Sequence, residues 1–135
     1  MIDPRPRNSL SWFESVKYNL YFYGKLERER PIGDCFFYTK NPNDEDTPLI
    51  IATNINQHYV FSDRTLIVYR NKIVYYGAIK NNIATMPRAE GKGILFSADF
   101  VYQGEFKNGV PHGFGHYRSK SLEYLGDFKN GIPLG

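Results

Sequence analysis

The chain has 135 residues, a formal net charge of +3 and a single cysteine, Cys35. It is therefore sized for one domain, too weakly basic to predict nucleic-acid binding from charge, and unable to build an internal disulfide framework. No apolar run reaches the roughly 18 residues of a membrane-spanning helix, and the first residues lack the apolar stretch of a secretory leader, so an intracellular protein is expected.

Aromatic residues make up 16% of the chain, 11 Tyr and 10 Phe among them, which suits strands that are half buried and half available for contact. Residues 1–21 are read as an N-terminal arm. Ser11-Trp12-Phe13-Glu14 has capping-box spacing, and Leu10, Phe13 and Val16 fall near one face, which predicts a short helix over Ser9–Lys17. Such a helix would cover the open end of a sheet, or present Trp12 and Phe13 to a partner.

The segment 22–38 is expected to be a divergent hairpin repeat. Shifted by 80 residues, Phe22 meets Tyr102, Gly24 meets Gly104, Leu26 meets Phe106, and Pro31 and Gly33 meet Pro111 and Gly113. Arg28-Glu29 stands where the later unit has Asn-Gly, so a different turn geometry is expected there. Cys35 stands where a second glycine would be, in an apolar strand that predicts a buried, unreactive thiol.

Residues 39–74 carry no glycine and read as degenerate or inserted hairpins of the same sheet, with strands at Leu49–Ala52, His58–Phe61, Thr65–Tyr69 and Ile73–Tyr76. The loop before them, Asn-Pro-Asn-Asp-Glu-Asp-Thr-Pro, bunches three carboxylates. It lacks the ligand order and distal Glu of a calcium loop, so a solvated turn is expected and no metal or other cofactor.

From residue 75 the repeat is explicit. Residues 75–96 open with Tyr75-Tyr76-Gly77 and return through Gly91–Phe96; Asn82 replaces the turn glycine, and five extra residues fall within Ile83–Glu90. Residues 102–117 read Tyr102-Gln103-Gly104-Glu105-Phe106-Lys107-Asn108-Gly109-Val110-Pro111-His112-Gly113-Phe114-Gly115-His116-Tyr117. Twenty-two positions on, 124–135 repeat the opening as Tyr124-Leu125-Gly126-Asp127-Phe128-Lys129-Asn130-Gly131-Ile132-Pro133-Leu134-Gly135 and stop before a full return strand, predicting an unpaired edge at Tyr124–Phe128. In each unit Tyr-x-Gly-x-Phe alternates faces at period two, and Asn108-Gly109 and Asn130-Gly131 are two-residue hairpin turns, because both residue types accept positive φ. One such hairpin cannot bury its apolar face alone; stacked hairpins can.

The pattern Tyr-x-Gly-Glu/Asp-Phe-Lys-Asn-Gly-x-Pro-His-Gly-x-Gly over 98–135 resembles the MORN repeat (membrane occupation and recognition nexus). The resemblance implies an all-β fold: an elongated single-layer antiparallel sheet of stacked β-hairpins, here with a short N-terminal helix or arm. It also implies a non-catalytic scaffold or adaptor, since proteins with this repeat serve in cytoskeletal and ciliary structures, at membranes and as accessory subunits of large complexes.

No catalytic motif is present, and the three histidines, His58, His112 and His116, show no metal spacing. The expected partners are other protein subunits, with a homodimer also compatible. The expected contact residues are Trp12, Phe13, Tyr102, Phe106, Tyr117, Tyr124 and Phe128, with a partner helix lying in the aromatic groove. The alternative is an anionic phospholipid surface. It would meet the basic run Arg64, Arg70, Lys72, Lys80, Arg88 and Lys92, against which only Glu90 is acidic between positions 64 and 92.

Overall fold

A computed structural model describes residues 11–16, 19–40, 47–58, 60–80 and 88–135, with only the backbone of Ser11 and Trp12. The described residues form one open antiparallel sheet, and no helix occurs among them. Its strands are β1 (Ser11–Ser15), β2 (Leu20–Glu27), β3 (Arg30–Thr39), β4 (Pro48–Ile55), β5 (Thr65–Tyr69), β6 (Val74–Lys80), β7 (Arg88–Phe96), β8 (Phe100–Lys107), β9 (Val110–Ser119), β10 (Glu123–Lys129) and β11 (Ile132–Pro133). Each pairs with the strand before and after it, so the order in space is the order in sequence.

Because directly opposed residues of an antiparallel pair share a face, the register sorts the whole sheet. One row runs Phe13–Phe22–Phe37–Ile51–Ile67–Tyr75–Leu95–Tyr102–Tyr117–Tyr124 from β1 to β10. This is the core face. Beside it lies a second row, Thr65–Gly77–Gly93–Gly104–Gly115–Gly126, five glycines deep in the repeat half. The tyrosines lie flat over those glycines. A Cβ on Gly93 would sit inside the ring of Tyr75, and one on Gly115 inside the ring of Tyr102.

Each hydroxyl then reaches the carbonyl three residues on: Tyr75 Oη donates to Ala78 O, Tyr102 Oη to Glu105 O at 2.8 Å and Tyr124 Oη to Asp127 O at 2.9 Å. The phenylalanines fill the gaps. Tyr75–Phe106, Tyr102–Phe106, Tyr102–Phe128 and Tyr124–Phe128 are four edge-to-face pairs with centroids 5.0–5.2 Å apart. In the other half, Cys35, Thr53 and Thr65 take the place of the glycines, with the two threonine hydroxyls 2.6 Å apart, and Phe22, Phe37 and Phe61 form the aromatic stack.

The hairpin tips are tied to the unit before. Asn108 N donates to Glu90 Oε1 (3.0 Å) and Gly109 N to Ala89 O (2.9 Å). One unit later Asn130 N donates to His112 Nδ1 (3.3 Å) and Gly131 N to Pro111 O (2.8 Å). Both side-chain acceptors lie 18 residues before their amide, so Glu90 and His112 do the same work in successive repeats.

Several expectations change. Ser11–Ser15 is a strand, not part of a helix: pairing with β2 buries Phe13 against Phe22 and satisfies backbone groups that a helix at this edge would leave to water. The turn at Arg28-Glu29 has the geometry of Asn-Gly after all. Both residues are left-handed (φ 53° and 65°), as are Asn108 and Gly109 (52° and 89°), because the paired strands impose the turn whatever residues occupy it. His58 lies in a turn and Phe61 makes a single bridge to Ile55, so that stretch is no strand. The return strand of the 75–96 unit starts at Arg88; Asn82 and Ile83–Pro87 lie outside the described residues, as do 41–46 with the three carboxylates. The last unit is closed at its tip: Phe128 and Lys129 pair with β11, and Leu134 N donates to Asp127 O.

Two stability predictions follow from these geometries. Replacing Arg28→Asn together with Glu29→Gly relieves two left-handed residues and should raise stability by about 1–2 kcal/mol in urea titration. Gly115→Ala forces the Tyr102 ring off its seat and should lower stability by about 1–3 kcal/mol in the same measurement.

Candidate partner-binding face

Among the described residues, nothing forms a second layer over the other face of the sheet. Its register gives two adjacent rows. The first is Tyr23–Phe36–Ala52–Leu66–Tyr76–Ile94, continuing to Gln103, His116 and Leu125. The second is Tyr21–Tyr38–Ile50–Val68–Val74–Phe96–Val101, continuing to Arg118 and Glu123. From β2 to β7 every position in both rows is apolar or aromatic. Tyr21, Tyr38, Tyr76, Phe96 and Val101 are each exposed by 37–42%, and the rest of the band is half-buried. A band of this continuity is more than scattered surface hydrophobes.

Toward the hairpin tips a polar row borders the band. Asn54 Nδ2 donates to Asp34 Oδ1 (2.8 Å), Lys92 faces Glu105 across β7 and β8, and Asp127 lies opposite Phe114. Here Glu105 Oε2 accepts the amide of Phe114 (2.8 Å). A trough of about 610 Å³ opens where band and polar row meet, lined by Tyr76, Ile94, Gln103, Lys92, Glu105 and Phe114 with Asp63 at its rim. On the opposite side the band is bordered by the turns that carry Lys40, Arg70, Lys72 and Lys120. Lys40 pairs with Glu14 and sits 4.8 Å from the ring centre of Tyr21.

The structure moves most of the expected contact residues into the core. Tyr102, Phe106 and Phe128 are at most 5% exposed and form the edge-to-face chain described above, so their rings are not available to a partner. Phe13 stacks on Phe22 within the core face (centroids 6.0 Å), Tyr117 stacks on Phe100 (5.9 Å), and the Tyr124 hydroxyl donates to Asp127 O while accepting from Gly135 N. Trp12 pairs with Tyr23 in register; its side chain lies outside the described residues. Asn108, Gly109, Asn130 and Gly131 form the tips, as expected.

The six basic residues are not gathered. Lys80 and Arg88 are cross-strand neighbours at the tip edge, with Arg64 in the connection at that edge. Arg70 and Lys72 lie in the turn at the opposite edge, and Lys92 stands on the open face between. A strand of seven residues separates the two edges by about 20 Å.

What the sequence reading missed are the positions adjacent to the motif, Tyr23, Phe36, Tyr38, Tyr76, Ile94, Phe96 and Val101. A usable signal was present: consecutive bulky residues, as at Phe36-Phe37 and Tyr75-Tyr76, cannot share a face of a strand.

Burial on the core face shows in the titrating groups. The Cys35 thiol is pushed up from its ordinary 9.0 to about 12, chiefly by burial, with the Asp34 carboxylate adding to it. The Tyr75 and Tyr102 hydroxyls are also raised, first by burial.

The geometry and the repeat agree with a family model that the chain matches, the MORN repeat, at residues 102–121. No curated protein matches the chain in sequence. The chain carries a MORN repeat at residues 102–121, and its other hairpins repeat the matched unit's register with drifted residues. MORN repeats occur in membrane-associated and scaffold proteins and are generally non-catalytic.

In the fold these three groups keep their protons at a pH where the unfolded chain releases them. Their contribution is therefore complete below about pH 9 and is lost as pH rises beyond it. The urea midpoint should fall between pH 9 and 11, and Cys35→Ala should move the onset of that fall upward, toward the range where tyrosines ionise.

Proposed function

We propose that this protein is a non-catalytic adaptor, an accessory subunit of a larger assembly, that holds a partner protein on the open face of its sheet. The observation that carries the reading is the two-row apolar band from β2 to β7, with Val101 on β8, which no described layer covers while the motif aromatics are spent on the core face. A non-catalytic role is supported by the histidines: His112 serves as acceptor for a turn amide, and His116 pairs on the surface with Glu123 at 2.7 Å. The assembly we place it in is cytoskeletal, ciliary or membrane-associated, the settings in which this repeat is used. The contact is with protein, because the basic residues that a membrane would need are divided between the two edges.

The test is a pair of charge insertions into the band, Tyr76→Glu with Phe96→Glu, set beside the unaltered chain in affinity purification from its source. Recovery of the co-purifying protein should fall by more than about tenfold, 1.4 kcal/mol per decade, while the urea midpoint stays close to that of the parent. Equal recovery from both would overturn the assignment of the open face.

A further inference from the structure

We propose that the last hairpin, β10–β11, is held to the array by an acid-labile clasp. His112 grips its tip while the imidazole is neutral and releases it when the ring takes a second proton.

The donor decides the chemistry. A backbone N–H can only donate, so Asn130 N, 3.3 Å from His112 Nδ1, requires a lone pair on that nitrogen and the ring proton on Nε2. Histidine is the side chain whose charge ordinarily changes between pH 5 and 8. An imidazolium carries hydrogen on both nitrogens, and its Nδ1–H would face the Asn130 N–H, donor against donor. The bond is therefore present at the alkaline end of that range and is lost as pH falls through it.

The preceding unit has the same joint without the sensitivity. There Asn108 N donates to Glu90 Oε1 at 3.0 Å, and a carboxyl group keeps an acceptor oxygen in either protonation state. The second tie at each tip, Gly109 N to Ala89 O and Gly131 N to Pro111 O, is backbone to backbone and does not titrate. The last tip is also the more lightly held. Its return strand β11 is two residues long and pairs only as Phe128–Pro133 and Lys129–Ile132, whereas β9 pairs with β8 from Val110 to Ser119. Losing one bond removes a larger share of what fixes it.

The charged groups on the flanking strands are Glu105 and Lys107 on β8 and Asp127 and Lys129 on β10, two of each sign. Loss of the acceptor, not a one-sided field, thus sets the direction. On β9 itself His116 lies four residues on, with Nε2 2.7 Å from Glu123 Oε2. Protonation strengthens that pair. Acid accordingly tightens β10 at its start and loosens the hairpin at its tip.

The test is NMR of the full-length, 15N-labelled chain between pH 5 and 8. At the alkaline end the His112 ring should carry its proton on Nε2. On acidification, protection of the Asn130 amide against hydrogen exchange, corrected for the intrinsic rate, should fall by about three- to tenfold. The Asn130 amide resonance should move with the same midpoint as the His112 ring, while Asn108 keeps its protection. His112→Gln, whose amide oxygen accepts without titrating, and His112→Glu, which copies Glu90, should both flatten the response. His116→Gln should leave it in place. A neutral ring protonated on Nδ1, an Asn130 resonance that stays still as His112 titrates, or a response that survives His112→Gln would each overturn the clasp.

Discussion

The structure depends on one repeated contact, a tyrosine ring lying flat on glycine with a phenylalanine edge set against it. Tyr75, Phe106, Tyr102, Phe128 and Tyr124 alternate in an unbroken edge-to-face chain. A single-layer sheet has no second layer to bury its apolar face, so it must cover that face with its own side chains. Only where the neighbouring strand lacks a Cβ can a ring lie low enough to do this. Gly77, Gly93, Gly104, Gly115 and Gly126 therefore act with the tyrosines, and the hydroxyl of each ring finds a carbonyl three residues on, so the burial leaves no donor unpaired.

The open face follows from the same economy. Once the motif aromatics are drawn to the core face, the period-two alternation of every strand puts the remaining apolar residues on the other. The result is a sheet with a self-sufficient side and an open side, and the open side is the one proposed for recognition. The tips add rigidity without touching that surface: the amides of Asn108 and Asn130 are held by Glu90 and His112 of the preceding unit, coupling each hairpin to the last as nearest neighbours in a linear array.

Much of the architecture could be read from residue types. Asn108-Gly109 and Asn130-Gly131 announce their turns because few other residue pairs accept positive φ at both positions, and the 22-residue offset of Tyr102 and Tyr124 announces the stacking. The N-terminal half was less legible for a physical reason. Arg28-Glu29 carries no turn chemistry and is held left-handed by the strands on either side; Cys35, Thr53 and Thr65 replace the glycine row without looking like glycine; and Ser11–Ser15 has helix-start spacing yet takes the strand that its neighbour's open edge offers. Tertiary pairing overrides local preference at each of these places.

By itself, then, the sequence determined the class of protein, the hairpin period and the turn positions, because backbone conformations with positive φ and alternating bulk are written in single residues. Only the tertiary structure decided which face is core and which is spare. Alternation separates Tyr102 from Gln103 and Tyr75 from Tyr76 but is symmetric between the two sides of a strand. The tie is broken by the glycine row, which lets rings settle on one side and not on the other. It was likewise the register that carried Tyr21, Phe96 and Val101, far apart in sequence, into one band, and that parted Lys80 and Arg88 from Arg70 and Lys72.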